Sequence, residues 1–419
     1  MASAEPTIPE ISYGQLLEQS GALSRRLPLD GTIETTFRCN LACVHCYVNE
    51  PAHDKGARTR ELPKERLLRL VDEVVEEGCL EVLFTGGEVL LRPDFPEIYL
   101  HALRRGLRVT VFTNGTLITE AIADLFDEYR PACVEISLYG MTRETYEKVT
   151  RVPGSFDKCM AGIRRLHARG VPFKLKTMVL AWNRPELPAM RAFAAELGVE
   201  FRHDSMLNAR VDCGANRNPE LQVTAEEAVA ADLGDPAARS RHAASFRAAL
   251  AEDASPRTDE VYTCGAGQIG FTVDPYGRLQ LCQLSRRSSF DLRDDTFARG
   301  WREFLPALRA RTWQSGSVCR ACSLRPVCGS CPGAAELEHG DIEAAVAAFC
   351  EITHRRAHEL VGEVAGHRAD ATCCLGQGGT DGPPVRVAAG GCGSCAHGAP
   401  AEPALLQVQV RSRPAASVR

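Results

Sequence analysis

The sequence predicts an α/β fold, a partial (β/α)6 TIM-like barrel followed by a small cysteine-rich α+β domain. Between residues 30 and 206, six short apolar runs alternate with amphipathic helical patterns. Such alternation is typical of a parallel sheet whose crossover connections are right-handed. The 18 cysteines of the 419-residue chain are clustered rather than scattered, which marks a second region. The end of the chain is rich in Gly, Ala and Pro and lacks periodicity.

The six apolar runs are rich in β-branched and aromatic residues and are therefore predicted strands. They lie at 32–37, 80–85, 107–113, 133–138, 173–180 and 199–206. The predicted helices between them lie at 63–77, 93–105, 119–129, 156–168 and 187–197. Since chemistry gathers at the C-terminal ends of the strands in such barrels, residues just after each strand are candidate functional residues.

The same patterns predict five segments along the chain. Residues 1–29 form an N-terminal extension and residues 207–262 an Ala-rich helical bridge. The barrel occupies 30–206 and the cysteine-dense domain 263–365. For the tail, 366–419, the composition predicts disorder.

Charge and hydropathy exclude several classes of function. With 49 Lys and Arg against 54 Asp and Glu, the net charge is −5, which argues against a nucleic-acid partner. No apolar run approaches the length that a membrane span needs. The first residues are polar and lack the apolar core of a signal peptide, so a cytoplasmic location is expected.

The loop after the first predicted strand carries Cys39, Cys43 and Cys46. Three thiolates at this three-then-two spacing can hold three irons of a [4Fe-4S] cluster and leave the fourth iron open. Zinc is the competing interpretation, because thiolates suit both metals. Zinc sites usually combine two pairs of ligands, however, and no second pair follows nearby.

Three further motifs end the next strands. Gly86, Gly87 and Glu88 follow the second strand, where glycines allow a close backbone approach and a carboxylate can bind an ammonium group. Asn114 ends the third strand in a Thr-Asn-Gly run, and Ser137 ends the fourth. The alternative interpretation of the first two motifs is an ordinary turn.

These motifs, in this order, resemble the radical S-adenosylmethionine (SAM) superfamily. The resemblance implies that SAM chelates the open iron and is cleaved reductively to a 5'-deoxyadenosyl radical. It implies a catalytic role for the cluster held by Cys39, Cys43 and Cys46. It also implies that the following residues bind the cofactor: His45, Gly86, Gly87, Glu88, Asn114 and Ser137. Relatives often carry Asp where this chain has Tyr139, so one polar contact is missing.

Seven cysteines follow in the second region. They are Cys264, Cys282, Cys319, Cys322, Cys328, Cys331 and Cys350. A zinc ribbon is the alternative, since paired Cys-x-x-Cys motifs are typical of zinc sites. The order nevertheless resembles the SPASM extension of radical SAM enzymes, which implies one or two auxiliary [4Fe-4S] clusters.

By that resemblance, one auxiliary cluster has the ligands Cys319, Cys322, Cys328 and Cys350, and the other has Cys264, Cys282 and Cys331. The second set lacks a fourth cysteine, which predicts an open iron or a ligand borrowed from Cys213. The tail cysteines, which are Cys373, Cys374, Cys392 and Cys395, are either incidental thiols of a mobile extension or part of a peptide-like tail that visits the active site.

The resemblance spans roughly residues 30–360 and implies an enzyme that modifies a peptide or protein by a crosslink or a side-chain oxidation. It implies a flavodoxin- or ferredoxin-type electron donor and a separate leader-peptide-binding protein. Sulfatase-maturing relatives carry Asp where Gln283 follows Cys282, and glutamine cannot act as that base. The alternatives are a step in small-molecule cofactor synthesis, such as tetrapyrrole tailoring, and a non-enzymatic iron–sulfur electron-transfer protein.

Overall fold

The computed structural model describes residues 21–48, 50–211, 220–252, 259–329, 331–362, 364 and 366–375. These residues all belong to one compact unit, 1–378. The predicted N-terminal extension up to residue 20, the predicted tail beyond residue 375, and Cys213, Cys392 and Cys395 lie outside the described residues.

One nine-stranded sheet organises the described chain, in the order β11-β10-β9-β1-β4-β5-β6-β7-β8. Its strands are β1 Asp30–Thr36, β4 Glu81–Gly86, β5 Arg108–Thr113, β6 Cys133–Ser137, β7 Phe173–Met178, β8 Phe201–Asp204, β9 Gly270–Val273, β10 Arg278–Gln280 and β11 Phe290–Asp291. Two short strands, β2 Arg38–Cys39 and β3 Glu50–Pro51, pair separately in parallel. The six strands from β1 to β8 are parallel neighbours in chain order, so the predicted parallel α/β barrel core is confirmed.

Helices cover the sheet and build the C-terminal region. In the barrel they are α1 Ala22–Arg25, α2 Lys55–Arg60, α3 Lys64–Glu76, α4 Phe95–Arg104, α5 Glu120–Glu128, α6 Arg143–Thr150, α7 Ser155–Ala168 and α8 Leu187–Glu196. Beyond it they are α9 Ala225–Leu233, α10 Pro236–Glu252, α11 Phe297–Arg299, α12 Leu305–Arg309, α13 Val318–Ala321, α14 Pro332–His339, α15 Ala347–Val361 and α16 Thr372–Leu375. A π-helical turn, Gly300–Phe304, joins α11 to α12.

The crossover helices follow from their apolar periodicity. Helix α3 buries Leu67, Leu70, Val71 and Val74, the stripe expected from spacings of three and four residues. Helix α6 was not predicted, because its interior is polar and only a few apolar positions mark its buried face. It begins at Thr142, whose hydroxyl accepts a hydrogen bond from the Thr145 amide, a typical N-cap.

The cysteine-rich region joins the barrel sheet directly. Strand β9 pairs in parallel with β1, with Asp30 opposite Gly270 and Ile33 opposite Val273. Strands β10 and β11 then continue the sheet in antiparallel fashion. The sheet therefore crosses from the predicted barrel into the predicted cysteine-dense region without a break.

In the part of the chain that the structure describes, every helix is too short or too polar to cross a membrane.

Candidate active site

The cysteine loop, residues 37–48, is held by the backbone of a helix distant in sequence. The amide of Ala42 donates to the carbonyl of Thr150 at 3.0 Å, and that of Val44 donates to Val149 at 3.0 Å. Both acceptors lie at the C-terminal end of α6, where helix carbonyls lack intrahelical partners. The loop amides thus provide hydrogen-bond donors for the free carbonyl groups at the end of α6, and these bonds fix the conformation of the loop.

Cys39, Cys43 and Cys46 all line one cavity of about 590 Å³ at the C-terminal ends of the barrel strands. Burial raises the pKa of Cys39 to about 12, and the Glu88 carboxylate adds to this rise. Burial also raises the pKa of Cys43 well above its usual value. Thiols in such surroundings stay neutral unless a bound cation favours the thiolate.

The two glycines after β4 are required by backbone packing. A Cβ atom on Gly86 would overlap the carbonyl oxygen of Thr36, and one on Gly87 would overlap that of Arg38. The amide of Gly87 donates to Thr36 at 2.6 Å. The sequence predicted that these glycines let the backbone approach a ligand closely. They also let the backbone pack closely against the cysteine loop. Both glycines line the cavity as well.

Glu88 lies directly behind this wall and is fully buried. Its carboxylate accepts hydrogen bonds from the Thr113 hydroxyl and the Asn114 amide, each at 2.8 Å, and from the Leu90 amide at 3.1 Å. Burial raises the pKa of Glu88, although the three hydrogen bonds act to lower it. In this conformation the carboxylate positions the end of β5.

Asn114 connects the third strand to the cysteine loop. Its side-chain amide donates to Asn40 at 2.9 Å and lies 3.7 Å from the sulfur of Cys39. Asn114 and Ser137 both line the cavity beside the three cysteines.

His45 packs edge-on against Tyr139, with ring centroids 4.8 Å apart. Tyr139 lines the cavity, and His45 lies behind it. Burial lowers the pKa of His45 to about 4, so its imidazole is neutral. Among the described residues its buried Nδ1 atom has no hydrogen-bond partner, which leaves a polar atom for a ligand or for water.

Several charged residues of the cavity were not predicted from the sequence, including Lys176 and Arg202. Lys176 Nζ lies 3.6 Å from a Glu135 carboxylate oxygen, and Arg202 Nε lies 3.2 Å from the same oxygen. Lys176 also stands over the ring of Phe112, and burial lowers its pKa well below the usual value. A lysine near the end of an inner parallel strand was the available signal, because such strands are normally apolar.

The C-terminal cysteines are brought together in two groups. Cys319, Cys322, Cys328 and Cys350, here called the cysteine quartet, line one small cavity of about 60 Å³. Cys282 and Cys331 share a hydrogen bond that raises the pKa of Cys282 and lowers that of Cys331. Cys264, which the sequence analysis grouped with that pair, is exposed on the turn before β9.

The segment after Cys282 connects the two regions. Gln283 and Leu284 line the main cavity together with the three cysteines of the loop. Arg286 forms a buried ion pair with Glu34 of β1, with N–O distances of 2.6 and 2.8 Å. Gln283 donates to the same carboxylate at 3.5 Å.

Comparisons with known proteins agree with this geometry. Residues 33–194 match the family model of the radical SAM superfamily. The AdoMet-dependent heme synthase of Oleidesulfovibrio alaskensis is 30% identical over 320 residues, which are 71% of this chain and 81% of that protein. The mycofactocin maturase MftC of Mycobacterium tuberculosis H37Rv is 28% identical over 315 residues, 73% of this chain and 79% of that protein.

A further relative matches over a shorter stretch. The AdoMet-dependent heme synthase of Methanosarcina barkeri is 34% identical over 175 residues, 41% of this chain. The chain spans only 48% of that relative's length.

Two solved structures share the fold. SuiB of Streptococcus suis bound to the precursor peptide SuiA has a TM-score of 0.61 at 13% identity, covering 84% of each chain. Native anSMEcpe with bound AdoMet has a TM-score of 0.59 at 15% identity, covering 80% of this chain and 96% of its own.

The resemblance inferred from the motifs is thus confirmed, as are the fold class and the cofactors. This chain belongs to the radical SAM superfamily, carries a C-terminal SPASM-type region, and has a [4Fe-4S] cluster and SAM as its cofactors.

Proposed function

We propose that this radical SAM enzyme modifies a peptide or protein, by forming a crosslink or oxidising a side chain. The observation that supports the proposal is the shared cavity. The cysteine loop and the Gln283–Leu284 segment, which directly follows Cys282, both line it. A substrate in this cavity would contact both the catalytic loop and the auxiliary-cluster region.

We assign the catalytic cluster to Cys39, Cys43 and Cys46. These thiols are three soft ligands facing one cavity, which fits a cluster with one open iron. Bound together, the cluster and SAM supply a 5'-deoxyadenosyl radical that can take hydrogen from an unactivated carbon.

The chain's own residues hold and orient the cofactor. The backbone of Gly86 and Gly87 would bind the methionine ammonium group, and Asn114 and Ser137 would offer polar side chains. Glu88 contributes through the amide of Asn114 in the described conformation. His45, with its unpartnered Nδ1 among the described residues, fits the adenine side of the site.

The two groups of C-terminal cysteines are assigned to auxiliary clusters. The cysteine quartet offers four thiols around one cavity and therefore fits a closed cluster. Cys282 and Cys331, with Cys264, would hold a second cluster next to the main cavity. These clusters would accept an electron from the substrate radical or bind the substrate. A flavodoxin- or ferredoxin-type protein would donate the electron that starts SAM cleavage. A separate protein would bind the leader peptide of the substrate.

The mixed polarity of the cavity favours a peptide. Glu135 lies against both Lys176 and Arg202 and balances part of their positive charge, and Asp204 adds a further carboxylate. A peptide, with many amides and few charges, can pair with such a surface. A substrate carrying several carboxylates would need an excess of unpaired cations.

The second candidate is a step in tetrapyrrole synthesis. It is favoured by the 30% identity, over most of both chains, to a protein described as an AdoMet-dependent heme synthase. The identity to the mycofactocin maturase is almost as high over a similar length, so the substrate class has to be decided by experiment.

The cluster assignment is tested by iron and sulfide analysis of the anaerobically reconstituted full chain, beside the Cys39/Cys43/Cys46 triple-alanine variant. About twelve irons per chain, falling to about eight in the variant, are expected for three clusters. About four irons falling to none, together with zinc, would contradict the auxiliary-cluster assignment.

The substrate class is tested by isotope transfer to 5'-deoxyadenosine. The enzyme is incubated with SAM, reductant and either deuterated small peptides from the producing cell or unlabelled iron-coproporphyrin III. Mono-deuterated 5'-deoxyadenosine above the substrate-free control would support peptide modification. A rise in 5'-deoxyadenosine with the porphyrin alone would support the second candidate and overturn the first.

A further inference from the structure

Four potential metal ligands meet where the described chain ends. They are His354, His367, Cys373 and Cys374, and one ligand atom from each lies within 4.8 Å of all the others. His354 is buried on α15, and the two cysteines lie on α16. None of the cluster assignments above uses this set, here called the Cys2His2 cluster.

Four of the six distances between the ligand atoms are close to those around a tetrahedral ion. The sulfur of Cys374 lies 3.5 Å from His354 Nε2, 3.6 Å from His367 Nδ1 and 3.8 Å from the sulfur of Cys373. The Cys373 sulfur lies 4.0 Å from His367 Nδ1. Tetrahedral zinc with ordinary bond lengths would place two sulfurs about 3.8 Å apart, and a sulfur and a nitrogen about 3.6 Å apart.

The surroundings of the two imidazoles orient them for metal binding. His354 Nδ1 lies 2.7 Å from the carbonyl oxygen of Arg368, so it carries the proton and leaves Nε2 as the electron-pair donor. His367 Nε2 lies 2.8 Å from the hydroxyl of Ser323, and its Nδ1 faces the sulfurs. Outer hydrogen bonds of this kind are typical of metal-binding histidines.

One of the cysteines is supported in a similar way. The Arg368 amide donates a hydrogen bond to the sulfur of Cys373 at 3.2 Å. The ring of His367 is also fixed from its backbone, because its carbonyl oxygen lies 3.0 Å from His358 Nε2 on α15. Three of the four ligands, which are His354, His367 and Cys373, therefore have an outer hydrogen-bond partner.

We propose that the Cys2His2 cluster is a structural zinc site that fastens the segment 366–375 to α15. Two thiolates and two neutral imidazoles in a tetrahedral arrangement form a closed zinc site, with no position left for a substrate. The proposal does not depend on the substrate or on the reaction of the enzyme.

The site is a neighbour of the cysteine quartet. His354 and Cys374 both line the quartet cavity, which gives Cys374 a second potential role as a cluster ligand. The quartet already offers four thiols, as many as a closed [4Fe-4S] cluster takes. Zinc would thus hold the last described helix against the wall of the auxiliary-cluster cavity.

The test is metal analysis of the full-length, anaerobically reconstituted protein from zinc-replete cells, with Zn K-edge X-ray absorption. About one zinc per chain is expected, with two sulfurs at about 2.3 Å and two nitrogens at about 2.0–2.1 Å. His367→Ala and Cys373→Ser should each lose the zinc and keep the iron. Cys133→Ser, a single cysteine in β6, is the matched control and should keep both metals.

Three results would overturn the proposal. The wild-type protein could contain no zinc, or its zinc could have only sulfur neighbours. Alternatively, Cys374→Ser could lower the iron content while zinc stays bound, which would make Cys374 a cluster ligand. Because His354 is buried and its replacement could unfold α15, the half-buried His367 is the residue to substitute first.

Discussion

The cysteine loop and the cysteine quartet present thiols in different ways. The loop places three thiols within eight residues after β1, and backbone hydrogen bonds to α6 and to the turn after β4 hold it. The quartet extends from α13 to α15, and its thiols meet only where these short helices pack around a small cavity. The loop is thus fixed by the barrel before metal binds, whereas we expect the quartet to depend on its cluster for order.

The two regions also differ in their access to substrate. The loop faces a cavity of about 590 Å³ that polar and charged side chains line. The quartet encloses about 60 Å³. This difference fits an open catalytic iron in one region and a closed electron-transfer cluster in the other.

Loss of a single ligand should separate the two roles. Cys43→Ala should reduce 5'-deoxyadenosine formation to the level of cluster-free protein, because the loop has no fourth thiol to compensate. Cys328→Ala should lower the iron content by about four per chain but leave SAM cleavage in place, since effects at independent sites are separable. Iron analysis and product assays measure both.

Equal loss of SAM cleavage in Cys43→Ala and Cys328→Ala would contradict the separate roles of the cysteine loop and the cysteine quartet. It would mean that the quartet cluster is needed for the catalytic loop to fold or to be reduced. Circular dichroism of the two variants would separate these explanations.

The next largest effect is expected where the regions join. Arg286→Met removes the partner of Glu34, whose side chain is fully buried, and should lower the free energy of unfolding by about 3–5 kcal/mol. Arg143→Met removes an exposed pair with Asp157 and should lower the free energy of unfolding far less, because solvent screens such pairs. Urea unfolding measures both changes in the free energy of unfolding. Similar changes in the two variants would show that the Arg286–Glu34 pair is not structurally important.

An added methyl group should destabilise the protein more at the cysteine loop than near the quartet. Gly87→Ala would push a methyl group against the Arg38 carbonyl and should cost about 1–3 kcal/mol together with weaker SAM binding. Gly316→Ala, before α13, adds a methyl group into open space and should be nearly neutral. Thermal unfolding and SAM titration provide the measurements, and a neutral Gly87→Ala would show that the loop can move.

The smallest effect concerns the turn between β9 and β10. Burial raises the pKa of Asp274 to about 6, and the nearby Glu34 carboxylate adds to the rise. Since the folded state binds this proton more tightly, its stabilising contribution is complete below the unfolded pKa of 3.8 and is lost as pH rises through 6. Deprotonation of Asp274 should therefore lower the free energy of unfolding by about 2 kcal/mol between pH 4.5 and pH 7.

Asp274→Asn should remove that part of the pH dependence. The amide oxygen can still accept the hydrogen bonds that Tyr276 and Arg278 donate from their backbone, each at 2.9 Å. Urea unfolding from pH 4.5 to 7.5 should give a flatter profile for the variant. Identical slopes in both proteins would show that Asp274 does not titrate in this range.

The sequence alone predicted the parts of the fold that depend on local pattern. The six strands follow from short apolar runs, and the stripe of α3 follows from its spacing. The cysteine loop and the Gly-Gly-Glu motif could be placed at strand ends because parallel strands bring their carboxyl ends to one side. These features need only neighbouring residues and a regular period.

Tertiary structure decided what depends on distant residues. Helix α6 holds the cysteine loop, although its polar sequence gave no clear period. Glu88 lies behind the cavity wall, because Thr113 and Asn114 of the next strand donate to it. Neither contact can be inferred from residue types, since each joins segments that only the packed sheet brings together.

The same reason applies to the two ends of the C-terminal region. Gln283 reaches the main cavity because β9 pairs with β1, a register that the sequence pattern does not encode. His354 and Cys373 are 19 positions apart and come from segments with no shared motif, yet their side chains meet in the Cys2His2 cluster. The sequence determined which chemical groups were present, and packing determined which of them could act together.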